Sequence, residues 1–346
     1  TTAENSFLPA IHAKKGLCCS YTSPPGCAPV PVPLTDRSLR MIPSPGQIYN
    51  KKPIYGREKF MNQVLSHKRT EHMIIDSHLH VWSDDYERYP MADGRTGAAP
   101  GSTELLLETM ETHGVDKAVI VQPIYYLYDN RYVVDSLKKY PGKFAAVGIL
   151  DRHAPDTPEQ LEILVKEHDF SGLRMHLGRP DDPAEWAAPD QDPIWRKAEE
   201  VGALFQSFGP ADKHPAIEPI VARYPGVKVV LDHIGGAPTD EGDDAPLLGN
   251  VLKFAQYPNT YVKFTPQDHK SQEDYPFKDT HGAFQKIYDA FGPERLMWGT
   301  DFPHVMRDLG YGRALDLFRE HMDFLSDEDK EWILGKTALS VWNFGD

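Results

Sequence analysis

The sequence is poor in the features that mark several broad classes of protein. It has 3 cysteines in 346 residues, too few for a disulfide-stapled scaffold. No apolar run approaches the ~18–20 residues that a membrane-crossing helix needs. Basic side chains are outnumbered, 37 Lys+Arg against 51 Asp+Glu, for a net charge of −14. That excess repels phosphate backbones and anionic lipid, so neither nucleic acid nor a membrane is an expected partner. No Gly-x-Gly-x-x-Gly follows the first apolar run, which removes the usual dinucleotide-binding turn. What is present, 40% apolar and 25% charged residues, is the composition of a globular chain.

The charge is uneven. Residues 1–72 carry ten basic and four acidic side chains, nine prolines, and all three cysteines, Cys18, Cys19 and Cys27. No helical or strand period is sustained before about residue 57, so this stretch has no face of its own to bury. We expect an irregular basic N-terminal extension, either an arm over residues 1–72 or a targeting segment. The cytoplasm is the expected location, with an organelle lumen as the alternative if residues 1–72 contain a transit peptide. The cysteines lack a Cys-x-x-Cys spacing, so neither a zinc site nor a redox couple is read from them.

From residue 73 short apolar runs alternate with helix-length amphipathic segments. The runs are Met73–Ser77, Lys117–Gln122, Phe144–Leu150, Gly172–Leu177, Ala203–Phe208, Val227–Leu231, Thr260–Phe264 and Arg295–Trp298. Helices are expected over Ser102–His113 and Arg131–Tyr140, from Asp156-Thr157-Pro158-Glu159 onward, and last at Glu328–Leu334. Runs such as Lys228-Val229-Val230-Leu231 are apolar rather than alternating, as strands covered on both faces should be. Eight repeats fit a TIM-type (β/α)8 barrel of ~250 residues, here spanning 73–346 as one catalytic domain.

In such a barrel the active site gathers at the carboxyl ends of the strands. The first strand ends Ile75-Asp76-Ser77-His78-Leu79-His80, and residues two apart in extended chain point the same way, so His78 and His80 can share one centre. The fourth strand offers Arg174 and His176, the fifth Gln206, the sixth Asp232 and His233, the seventh Lys263. The eighth is followed by Gly299-Thr300-Asp301-Phe302-Pro303-His304. An isolated His-x-His is weak evidence, but coupled in order to His233 and Asp301 it points to catalysis. Arg174 and Lys263 suit an anionic substrate at the mouth, with a salt bridge to Asp232 as the alternative reading. The loop Tyr125-Tyr126-Leu127-Tyr128 and Trp82 are candidate pocket walls.

The stretches Met73–Trp82, Leu231–Gly236 and Trp298–His304 resemble the amidohydrolase superfamily. They are most similar to the branch of 2-pyrone-4,6-dicarboxylate lactonases and sugar-acid lactonases. The likeness extends over residues 73–344 through "HGVDKAVIVQP", "RYPGVKVVLDHIGG" and "ILGKTALSVW". It implies that His78, His80 and Asp301 hold one divalent ion, zinc or manganese, and that His233 polarises the scissile carbonyl or adds a ligand. Two departures stand out. No lysine lies on Gly172–Leu177 to form a carbamate bridge, which argues against two metals, and the fifth strand offers Gln206 where metal-binding relatives commonly have histidine. Some lactonases of this branch use no metal, so a metal-independent mechanism stands beside the metal one, with His176 as a substitute ligand.

The resemblance implies a hydrolase that opens a lactone or cyclic ester of a small carboxylated molecule. Asp301 and His233 are catalytic in this reading, and Arg174, His176, Lys263 and His304 bind substrate. The alternative is a metal-dependent decarboxylase of an aromatic or unsaturated acid, because "WGTDFPH" also resembles those enzymes. The expected partner is a small anionic substrate, with a homodimer compatible with the sequence.

Overall fold

The computed structural model describes residues 72–178, 182–239 and 246–345. The N-terminal extension expected over residues 1–72, with Cys18, Cys19 and Cys27, lies outside the described residues except for His72.

Eight strands form one parallel sheet in sequence order: β1 (Ile75–Leu79), β2 (Lys117–Val121), β3 (Phe144–Gly148), β4 (Phe170–His176), β5 (Leu204–Phe208), β6 (Val229–Leu231), β7 (Thr260–Phe264) and β8 (Leu296–Trp298). A parallel bridge between Leu79 and Phe302 brings the chain after β8 back to β1 and closes the ring. This is the TIM-type barrel expected from the sequence. Helices return the chain between strands: α1 (Thr103–His113), α2 (Arg131–Lys139), α3 (Thr157–His168), α4 (Asp192–Val201), α5 (Glu218–Arg223), α6 (Pro246–Leu252), α7 (His281–Phe291) and α8 (Tyr311–Glu320). Among the described residues no helix is long and apolar enough to cross a membrane.

Local chemistry sets the helix limits. Ser102 caps α1 by accepting from the Leu105 N–H, and Gly114 ends it in the left-handed conformation, returning its N–H to the carbonyls of Glu111 and Met110. Pro158 sits in the first turn of α3, where its missing N–H costs nothing.

The barrel interior is built in layers. Ile75, Val119, Val121, Ala145, Val147, Leu204, Val230 and Met297 fill the lower part, and the C-terminal Ala338, Val341, Trp342 and Phe344 close it from below. Each of the larger of these side chains contributes about 1.5–3 kcal/mol on leaving water. The last helical segment runs further than the sequence suggested. α9 (Asp327–Glu331) continues through a π turn at Trp332–Lys336 into α10 (Thr337–Val341). At Gly335 a side-chain carbon would stand 1.9 Å from the Met73 carbonyl oxygen, so the helix passes against the entry to β1 where only glycine fits.

β1 also begins and ends two residues later than the apolar run implied. Its pairing with β2 slips between Asp76 and Leu79, where one extra residue is accommodated. Such a bulge changes which side chains face inward. Ile75 points into the barrel, and beyond the bulge His78 and His80 do as well.

Candidate active site

Below the rim lies a buried polar layer. Asp232, after β6, is its centre. Its Oδ2 accepts hydrogen bonds from Arg174 Nε at 3.1 Å and Gln206 Nε2 at 2.8 Å, and its Oδ1 lies 3.2 Å from His78 Nδ1 and 3.5 Å from Lys263 Nζ. Lys263 also donates to Gln206 Oε1 at 2.7 Å and lies 3.3 Å from His78 Nδ1. Burial alone would raise the Asp232 pKa, but His78, Lys263 and Arg174 outweigh it and hold the carboxyl well below its usual range. Burial pulls the Lys263 ammonium down to about 8, against the opposing pull of Asp232.

This layer corrects one expectation. Lys263 is fully buried, not at the mouth, and Arg174 is 5% exposed. Both reach Asp232, the salt bridge held as the alternative. The physical reason is charge balance: a carboxylate inside a barrel needs cations and donors around it. Lys263 stands over the ring of Trp342 at 4.9 Å, so its ammonium is sealed from below as well.

One layer higher, the rim groups converge. Asp301 Oδ1 is 3.4 Å from His80 Nε2 and 3.6 Å from His78 Nε2. His80 Nδ1 donates to the Val121 carbonyl at 2.8 Å, which leaves Nε2 facing inward. The rings of His78 and His233 lie 4.4 Å apart, and His304 is 6.0 Å from His80. Burial pushes the Asp301 carboxyl up, but His80 beside it and the nearby His233 and His78 outweigh it and hold the group well below the usual carboxylate range.

The backbone aims these side chains. Asp301 and His233 both adopt left-handed conformations, with φ of 64° and 49°, which cost roughly 1–2 kcal/mol for a residue with a side chain. At Gly299 a Cβ would meet the His78 Cβ at 2.6 Å, so glycine lets the end of β8 approach the first histidine. Asp76 ties the two segments together. Its carboxylate accepts from the backbone N–H of His78 at 3.1 Å and of Thr300 at 3.0 Å, and from the Thr300 hydroxyl at 2.6 Å. Burial raises the Asp76 pKa to about 6, against the pull of its donors. Sequence reading passed over Asp76; its place two residues before the His-x-His pair was the available signal.

His78 Nε2 and Asp301 Oδ1 are buried and have no hydrogen-bond partner. With His80 they form a group whose ligand atoms all lie within 4.8 Å of one another, a donor set that suits a borderline divalent ion. His176, considered as a substitute ligand, is not in that group. Its ring packs against Phe208 at 5.7 Å, and burial lowers its pKa to about 3.

The mouth is a cleft of about 170 Å³ lined by His233, His269, Asp301, His304 and Arg307. Trp82 stands 5.6 Å from His304 and 5.4 Å from Tyr125. Tyr126 is buried instead, its hydroxyl accepting from the Ser83 N–H at 3.0 Å. His233 is pulled down to about 4 by burial, against the opposing influence of Asp301 and Asp232, and is neutral at pH 7. Its Nδ1 is 2.9 Å from the Thr265 hydroxyl, which itself accepts from Gln267 at 3.2 Å. When the threonine hydroxyl donates to Nδ1, the His233 proton sits on Nε2.

The sequence pattern described as Amidohydrolase matches residues 75–344. The chain is 26% identical over 282 residues to an L-fucono-1,5-lactonase of Burkholderia ambifaria, covering 78% of this chain and 94% of the relative. It is 26% identical over 233 residues to a 4-sulfomuconolactone hydrolase of Hydrogenophaga intermedia, covering 66% and 74%. Among solved structures, a zinc-bound amidohydrolase of Burkholderia multivorans superposes with a TM-score of 0.67 at 21% identity, over 78% of this chain and 98% of that one.

Proposed function

This chain belongs to the amidohydrolase family, and from that premise we propose that it hydrolyses the lactone of a small carboxylated molecule. The observation that carries the reading is the meeting of His78, His80 and Asp301 beside His233 at the carboxyl rim. The lactonase and lactone hydrolase among its relatives support the substrate class.

Asp301, ionised through the neutral range, accepts the proton of the attacking water and returns it to the departing ring oxygen. His233 donates its Nε2–H to the carbonyl oxygen as negative charge develops there, and as a neutral ring it does so without losing the proton. His78 Nε2, His80 Nε2 and Asp301 would hold one divalent ion, zinc or manganese. That ion, when bound, lowers the pKa of water towards ~7 and polarises the carbonyl. His304 and the exposed Arg307 face the cleft and suit a substrate carboxylate.

The test is a panel of carboxylated lactones, with ring opening followed by proton release and carbon dioxide release measured on aromatic acids in parallel. Ring opening of at least one lactone is expected. Carbon dioxide release without any ring opening would replace this reading by the decarboxylase.

A further inference from the structure

His78 Nδ1 lies between an acceptor and a donor. Asp232 Oδ1 is 3.2 Å away and Lys263 Nζ is 3.3 Å away. A ring that ligates an ion is neutral and carries one proton. The proton's place decides what the other nitrogen can do. On Nε2 it would face Asp301 Oδ1 at 3.6 Å, too far for a hydrogen bond, and would be a buried donor with no partner. On Nδ1 it is taken by Asp232, and Nε2 keeps a lone pair aimed at His80 and Asp301. Lys263 does not need the ring, because Gln206 Oε1 accepts from it at 2.7 Å.

We propose that Asp232 is a positioning residue: it fixes the proton of His78 on Nδ1 and so presents Nε2 as a ligand to the divalent ion. The inference rests on the metal-holding role of His78, His80 and Asp301 proposed above. Arg174 and Gln206 complete the device. They occupy Oδ2 with the guanidinium Nε and Nη2, each at 3.1 Å, and the amide Nε2 at 2.8 Å. The carboxylate therefore cannot turn away from the ring. The amide of Gln206 is committed to Asp232 and Lys263.

These contacts fix what Asp232→Asn does. Three donors surround the Oδ2 position, so the asparagine oxygen must stay there and its NH2 must take the Oδ1 position. That NH2 donates to His78 Nδ1, which drives the ring proton to Nε2 and blocks the ligand lone pair. An aspartate-to-asparagine change beside a catalytic histidine acts through the same wrong tautomer in serine proteases.

The experiment titrates full-length protein with zinc alone, in competition with a chromophoric chelator. It also records nitrogen-15 spectra of histidine-labelled wild type, with His78 assigned by its loss in His78→Asn. The expected results are zinc-loaded His78 protonated on Nδ1 and bound through Nε2, and a zinc affinity about 10–100-fold weaker in Asp232→Asn, with near-ultraviolet circular dichroism unchanged. Equal affinity in Asp232→Asn, or His78 protonated on Nε2 in the zinc-loaded wild type, overturns the inference and leaves the metal site standing. A wild type that takes up no zinc overturns both. If the variant does not fold, the wild-type spectrum decides alone.

Discussion

Tyr311, at the start of α8, donates a 2.9 Å hydrogen bond to Oδ2 of Asp76 in β1. The contact ties an outer helix to the carboxylate that joins the His-x-His segment to the loop bearing Asp301. Both residues are buried, and a hydrogen bond to a charged group inside a protein contributes about 1.5–3 kcal/mol. Tyr311→Phe should lower unfolding free energy by that amount. Thr300 still holds Asp76, so kcat should fall less than tenfold. Denaturant unfolding and steady-state kinetics on the same preparation check both.

Gly335 and Gly249 make opposite predictions for the same substitution. Gly335→Ala puts a methyl against the Met73 carbonyl at the barrel floor and should destabilise by about 1–3 kcal/mol or more. Gly249 in α6 has nothing within 4 Å of an added Cβ, so Gly249→Ala should be neutral or raise stability by up to about 1 kcal/mol. Thermal midpoints of the two variants would order them. Equal losses would remove the steric requirement for glycine at 335.

His214 makes the folded protein sensitive to acid. The ring is buried beside Ser207, with Nε2 2.9 Å from its hydroxyl, and burial lowers its pKa to about 4. The unfolded chain binds this proton below about 6.5 and the folded chain does not until about 4, so stability is complete above 6.5 and is lost as pH falls through that window. The loss reaches about 3 kcal/mol. His214→Gln should be less stable than wild type at pH 7 yet lose less on acidification from 6.5 to 4. Chemical denaturation at several pH values measures the difference in slope.

Much of this architecture was legible in the sequence, for a physical reason. Strands covered on both faces must be apolar throughout, so the eight runs stood out. Strand-end polarity then put His78, His80, His233 and Asp301 in an order that a closed ring brings together. Other features depend on contacts between distant residues. The bulge between Asp76 and Leu79 leaves no compositional trace, so β1 was placed two residues early. Lys263 reads like any mouth lysine until the neighbouring strands place Asp232 and Gln206 around it. The helix expected to stop at Leu334 runs on to Val341, and the Met73 carbonyl that constrains Gly335 lies across the barrel floor. Asp76 was overlooked because its partners are Thr300 and Tyr311.

Asp301 moves the proton of the attacking water in this mechanism, and the Asp301→Asn variant is its sharpest test. The substitution preserves shape and removes the base. With a lactone that the wild type opens, kcat should fall by about 10²–10⁴ while the unfolding midpoint stays within a few degrees. A folded Asp301→Asn protein with undiminished kcat would contradict the account.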